Sequence, residues 1–152
     1  MTDNNVAYIA GSLLHVSKDA WTWYEDVARV VERHGFRAHV PHLHTTPKGT
    51  DIHASTPEGE PDAIHIYTTN RGVVESAALI VADVTNVSTG TGIEIGIALL
   101  HKKRIICLCQ RDAKITRMIR GPVEMGHIDL ILYENKQDAL EQLEKRLANA
   151  HS

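Results

Sequence analysis

Short apolar runs recur along the chain, separated by amphipathic stretches. VAYIA (6–10), closed by Gly11-Ser12, reads as a buried strand. Ser17 can cap the segment that follows, where Trp21, Tyr24, Ala28 and Val31 recur at i, i+3, i+7 and i+10 until Gly35; this spacing predicts a helix. FRAHV (36–40) predicts a second strand. The pattern then lapses: residues 41–61, PHLHTTPKGTDIHASTPEGEP, hold four of the five prolines and no clear period, which predicts a long loop. Loops of that length in compact domains serve as functional lids or are disordered. Regularity resumes with a helix over about 62–76, strand LIVADV (79–84), a helix over about 91–102, strand RIICLC (104–109), a short helix around 113–119, strand DLILY (129–133) and a final helix over 136–149. Continuously apolar strands spaced by helices indicate a five-stranded parallel sheet covered on both faces and joined by right-handed crossovers. Ligands of such sheets sit beyond the carboxyl ends of the strands, where the strand order reverses. Four segments form that edge: Tyr8 to Leu14, the loop from Pro41, Asp83 to Gly92, and Cys109 to Thr116.

Composition narrows the picture. The 152 residues fit a single domain, 1–152, with a core of its own and no need of disulfides or metal to fold. Hydrophobic content of 43% and charged content of 23% are ordinary for a soluble protein, and no apolar run approaches the roughly 20 residues of a membrane span. The opening MTDNNVAYIAG lacks the basic region and cleavage site of a secretory signal. Cys107 and Cys109, two apart on a strand, point the same way and cannot form an ordinary strand disulfide, so a reducing cytoplasm is the expected home. A net charge of -3 offers no general attraction for a polyanion, which argues against duplex nucleic acid or an anionic membrane as partner and leaves a small, locally bound anion.

The stretch ADVTNVSTGTGIEIGIALL (82–100) carries the chemistry. A carboxylate, Glu94, is wedged between Ile93 and Ile95 at the start of an apolar helix. One reading is structural: Thr91-x-x-Glu94 fits a capping box, with Thr91 as cap and Glu94 reaching back to a free amide. The other is functional. Gly90 and Gly92 let a ligand approach the backbone, Ser88 and Thr89 supply hydroxyls, and the positive helix end favours anions. A carboxylate held ionised there, against apolar walls, is poised as a nucleophile.

ADVTNVSTGTGIEIGIALLHKKRIICLC, with the upstream YIAGS and the downstream MIRG, resembles the nucleoside 2-deoxyribosyltransferase superfamily, and within it the 2'-deoxynucleoside 5'-phosphate N-hydrolase branch. The likeness runs from Tyr8 to about Leu147 and is firmest from Ala77 to Gly121. It implies a flavodoxin- or Rossmann-like three-layer sandwich and no cofactor or metal. It also implies that Glu94 attacks the anomeric carbon of a pentose and that Tyr8 holds or orients this carboxylate. A retaining double displacement through an oxocarbenium-like transition state needs such a negative charge beside the sugar. The same resemblance assigns a 5'-phosphate to Gly11, Ser12 and Ser88, with Thr116 donated by the neighbouring subunit of a homodimer. Read locally, Tyr8 is equally a packed strand tyrosine, Ser12 and Ser88 turn residues, and Thr116 an exposed helix position.

Two positions depart from the pattern. Asn70 stands where the family often has an aspartate near the sugar; it is retained as a catalytic candidate, but an amide cannot donate a titrating proton. Asp83, His42 and His44 are the nearby stand-ins. Leu14 stands where the hydrolase branch has an arginine on the phosphate, and loss of that partner weakens anion binding by ~1.5 to 3 kcal/mol; His15 compensates only weakly. His42 and His44 are also candidates for contacting the base. His39, His42, His44 and His53 lie close in sequence, yet their spacing matches no standard zinc pattern. HKKR (101–104) reads as a solvated helix end, and Arg117 and Arg120 flank a segment near the implied subunit interface. The expected activity is hydrolysis of a (deoxy)nucleoside 5'-monophosphate to base and sugar phosphate. A deoxyribosyltransferase acting on free nucleosides and a nucleotide-binding module without turnover are the alternatives.

Overall fold

The computed structural model describes residues 4–14, 16–46 and 62–149. In chain order the elements are β1 (Val6–Ala10), α1 (Lys18–Arg33), β2 (Arg37–His39), α2 (Pro41–His44), α3 (Ala63–Ser76), β3 (Leu79–Asp83), α4 (Thr89–Leu100), β4 (Arg104–Gln110), α5 (Arg117–Glu124), β5 (Asp129–Tyr133) and α6 (Lys136–Ala148). The five strands form one sheet of order β2-β1-β3-β4-β5, parallel at every pairing. After β1 the chain steps outward to β2 and then crosses back to β3, so the strand order reverses between β1 and β3.

Strand parity sorts the core into two layers, because alternate side chains leave opposite faces of a sheet. Ala7, Ile9, Leu79, Val81, Ile106 and Leu108 pack with Trp23, Val27, Val31, Leu143 and Leu147 under α1 and α6. Val6, Tyr8, Ala10, Ile80, Ala82, Ile105 and Cys107 pack with Val74, Ile95, Ala98 and Ile119 under α3, α4 and α5. Both faces are covered, which is why the strands read as unbroken apolar runs.

Helix ends follow local chemistry. α1 closes in a Schellman motif: Phe36 N–H bonds Val31 O at 3.2 Å and Gly35 N–H bonds Glu32 O at 3.0 Å, with Gly35 at φ +86°. Ser17 occupies the N-cap of α1 but its side chain makes no capping bond, contrary to expectation. Asp62 caps α3 through Ile64 N–H at 2.9 Å. The expected loop from residue 41 begins as the short helix α2, with Pro41 in its first turn where a missing N–H costs nothing; residues 47–61 of that loop lie outside the described residues. The short helix expected near 113–119 forms instead at Arg117–Glu124, since Thr116 caps it by accepting from Met118 N–H at 3.3 Å.

Candidate active site

Parity places Tyr8 on the α4 face of β1, beside the crevice where the strand order reverses. Its hydroxyl donates to Glu94 Oε1 at 2.6 Å. Glu94 does not form a capping box. Ser88, three residues upstream of the expected cap, is the N-cap of α4: its Oγ accepts from Thr91 N–H at 3.2 Å and from the Thr91 hydroxyl at 3.1 Å. Thr91 is thereby drawn into the helix and buried, and Glu94 falls in the second turn, where backbone amides are already bonded within the helix. Burial raises the Glu94 pKa to about 7, and the Tyr8 hydrogen bond opposes that rise. The carboxylate is therefore not simply held ionised at a helix end, as the sequence led us to expect; it straddles its two forms near neutrality. Tyr8 is fully buried, and burial followed by the Glu94 charge pushes its pKa far upward, so it serves only as a donor. Tyr8 occupies Oε1 and leaves Oε2 without a hydrogen bond among the described residues.

A half-buried carboxylate with one donor does little for the fold, because unscreened charge costs free energy on burial. Asp83 is the contrasting case. It shares parity with Leu79 and Val81, so its side chain leaves the sheet on the α1/α6 face. Its Oδ2 accepts from Trp23 Nε1 at 2.7 Å and Tyr133 OH at 3.0 Å, while Oδ1 accepts from Thr85 N–H at 2.9 Å. A carboxylate with three donors on the far face is a structural node and no stand-in for a proton donor at Glu94.

The remaining candidates divide. At Gly92 a Cβ would meet nothing within 4 Å, and at Gly90 only Ser88 Oγ at 3.9 Å, so neither glycine is required by packing and both leave the start of α4 open. Gly11 is different: a Cβ there would lie 2.4 Å from the Tyr24 ring. Tyr24 OH also donates to Ser12 O at 2.8 Å, which ties the turn after β1 to α1. Ser12 is buried and commits its hydroxyl proton to Leu14 O at 2.9 Å, whereas Ser88, an acceptor in both its bonds, keeps its proton for a ligand. Thr116 shares a cavity of about 410 Å³ with Ser88 and Lys114 between α4 and α5 of one chain. Leu14 is exposed.

Neither His42 nor His44 hydrogen-bonds the Glu94–Tyr8 pair, although the His44 ring lies 5.3 Å from that of His39, which stacks on Tyr8. His42 stacks on Trp21 at 5.3 Å between ring centroids and holds Glu25 Oε1 at 3.0 Å through Nε2; its Nδ1 is buried without a hydrogen-bond partner. His44 Nδ1 accepts from Val40 N–H at 2.8 Å. Among the described residues no three His, Cys, Asp or Glu side chains are grouped to hold a metal ion; His15 and His53 lie outside them.

Asn70 is reached by a route the sequence did not disclose. His39 is the register partner of Tyr8 across β1 and β2, and their rings stack at 5.6 Å with 12° between planes. His39 Nε2 lies 2.8 Å from Thr45 Oγ1, which donates to Asn70 Oδ1 at 2.6 Å. Thr45 is buried. Register alone could have paired His39 with Tyr8; nothing local marks Thr45, which the α2 turn brings inward.

Known proteins share this architecture. The CMP N-glycosidase BcmB of Clostridium botulinum superposes with a TM-score of 0.66 at 20% identity, over 92% of this chain and 98% of that one. A 2-deoxyribosyltransferase from Bacillus psychrosaccharolyticus gives 0.63 at 15% identity, over 91% and 90% of the two chains. At these identities the likeness concerns the fold. In sequence, the 5-hydroxymethyl-dUMP N-hydrolase of Branchiostoma floridae is 40% identical over 62 residues, which are 40% of this chain and 59% of that protein. The chain spans about half the length of the curated relatives it matches. The family model for nucleoside 2-deoxyribosyltransferase matches residues 7–147, nearly all of the fold described above, and the chain belongs to that family.

Proposed function

We propose that this protein hydrolyses the N-glycosidic bond of a (deoxy)nucleoside 5'-monophosphate, with Glu94 as nucleophile. The observation that carries the reading is the 2.6 Å bond from Tyr8 OH to a carboxylate that the fold does not otherwise employ. An oxygen of ionised Glu94 attacks the anomeric carbon, the bond to the base nitrogen breaks, and its electron pair leaves with the base, which takes a proton from solvent because Asn70 has none to give. Water then attacks the same carbon and loses a proton to solvent, the bond to Glu94 breaks with its electron pair returning to the carboxylate, and sugar phosphate departs with net retention. Tyr8 holds the carboxylate throughout. The Ser88 hydroxyl and the open start of α4 bind the phosphate, without the arginine that Leu14 replaces.

Val87, Leu100 and Met118 are 97%, 83% and 80% exposed along the outer side of α4 and the mouth of its cavity, an apolar surface that suits a second copy of the chain. The homodimer proposed on it brings a partner's Thr116 within reach of each site. The free, buried thiols of Cys107 and Cys109 suit a reducing cytoplasm, and the net charge suits a small nucleotide better than a nucleic acid.

A panel of nucleoside monophosphates, followed by chromatography for released base, tests the activity. Base release is expected from at least one nucleotide, and Glu94→Gln should lower its rate by at least ~10³-fold, since the attacking charge is lost. Exposed Leu14 and the neutral Asn70 favour one second reading, base exchange between unphosphorylated deoxynucleosides; exchange without nucleotide cleavage would establish it.

A further inference from the structure

We infer that Thr45 and His39 are positioning residues that lock the Asn70 carboxamide with its oxygen turned away and its NH2 group facing the sugar. The part about the sugar rests on the function proposed above; the lock itself does not.

Thr45 Oγ1 has a single proton and two polar neighbours, His39 Nε2 at 2.8 Å and Asn70 Oδ1 at 2.6 Å. A hydroxyl donates once. With its proton on Asn70 Oδ1, the other contact is satisfied only when His39 carries hydrogen on Nε2 and donates to Thr45. His39 stays neutral under this arrangement: burial, then the neighbouring His44 and Arg37, lower its pKa to about 4. The donor sequence therefore runs one way, from His39 to Thr45 to Asn70. The Asn70 oxygen is occupied, and what remains for a ligand is a pair of N–H donors. Such a group recognises an oxygen lone pair, as on a pentose hydroxyl. The origin of the sequence is also placed against the reaction centre, because His39 stacks on the ring of Tyr8, whose hydroxyl holds Glu94. Five side chains on β2, the end of α2, α3, β1 and α4 are thus set by one another. This makes chemical sense of an amide at position 70: an aspartate would take the Thr45 proton equally well but would offer the sugar an acceptor.

Two measurements test it. Long-range 1H–15N NMR of the wild-type protein reads the His39 tautomer without any substrate. The Nε2–H form is expected; the Nδ1–H form would mean that Thr45 donates to His39 and that the Asn70 amide is reversed, and would overturn the lock. In turnover, Thr45→Val keeps the shape and removes the hydroxyl, while Thr45→Ser keeps the hydroxyl and trims the shape. The expected result is about a tenfold loss of kcat in Thr45→Val, the worth of roughly one hydrogen bond, with Thr45→Ser within about threefold of wild type. In an Asn70→Ala background Thr45→Val should cost nothing further. Equal losses in both Thr45 variants, or losses that add to Asn70→Ala, would show that Thr45 acts by packing and would overturn the inference. Should no nucleotide or nucleoside be turned over at all, the proposed function fails and the tautomer still decides the lock.

Discussion

With Glu94 as the proposed nucleophile, its titration sets the pH behaviour of the reaction. Its carboxyl is raised from an ordinary 4.5 to about 7 by burial, with Tyr8 pulling the other way. Since the nucleophile must be ionised, kcat/KM should rise with pH through about 7. Tyr8→Phe removes the contribution that lowers the pKa, so the rising limb should move to higher pH and the rate at pH 7 should fall; a limb that stays in place would separate Tyr8 from Glu94. The same shift bears on stability. A group whose folded pKa exceeds its unfolded value favours the folded state fully below about 4.5 and loses that advantage as pH rises through 7. Glu94→Gln should therefore be more stable than the wild type at pH 8, by up to about 3 kcal/mol, and the gap should close toward pH 4. Equal pH dependence in calorimetry of the two proteins would count against the shift.

At the scale of elements, α4 carries two tasks on two faces. Ile95 and Ala98 turn inward and anchor the helix on β3 and β4; full burial of a residue such as Ile95 contributes about 1.5–3 kcal/mol. Ile93 and Leu100 turn outward, and Met118 of α5 is exposed as well. If a second copy covers this surface, Leu100→Glu or Met118→Glu should convert the protein to a monomer in light scattering and depress turnover, while Glu94 and Tyr8 remain paired. A wild-type monomer would remove the proposed contribution of a partner's Thr116 to phosphate binding.

Across the molecule, the sheet divides labour between its faces. The α3/α4/α5 side holds the hydrogen-bonded Glu94 and Tyr8. On the α1/α6 side Asp83 binds Trp23 of α1 and Tyr133 of β5, and Arg33 and His34 of α1 meet Glu144 of α6. Tyr133→Phe leaves Asp83 one donor short in a buried place, and should lower stability by about 1–3 kcal/mol in urea unfolding while kcat is unchanged. A fall in kcat beyond the population unfolded would mean that the two faces are coupled. Apolar runs and helical spacing determined the element order and the parallel sheet, because burial on both faces is written into each strand locally; they also made Glu94 conspicuous as a charge among isoleucines. Tertiary structure alone decided what that charge touches. The start of α4 depends on which of Ser88 and Thr91 accepts the bond, which removed the capping box, and strand parity sent Asp83 to one face and Tyr8 to the other. His39, Thr45 and Asn70 are separated by up to 31 positions (39 to 70) and meet only when β2 pairs with β1 and α3 packs beside them. No local pattern encodes a hydrogen bond between residues so far apart, since its partners are chosen by the register of the sheet.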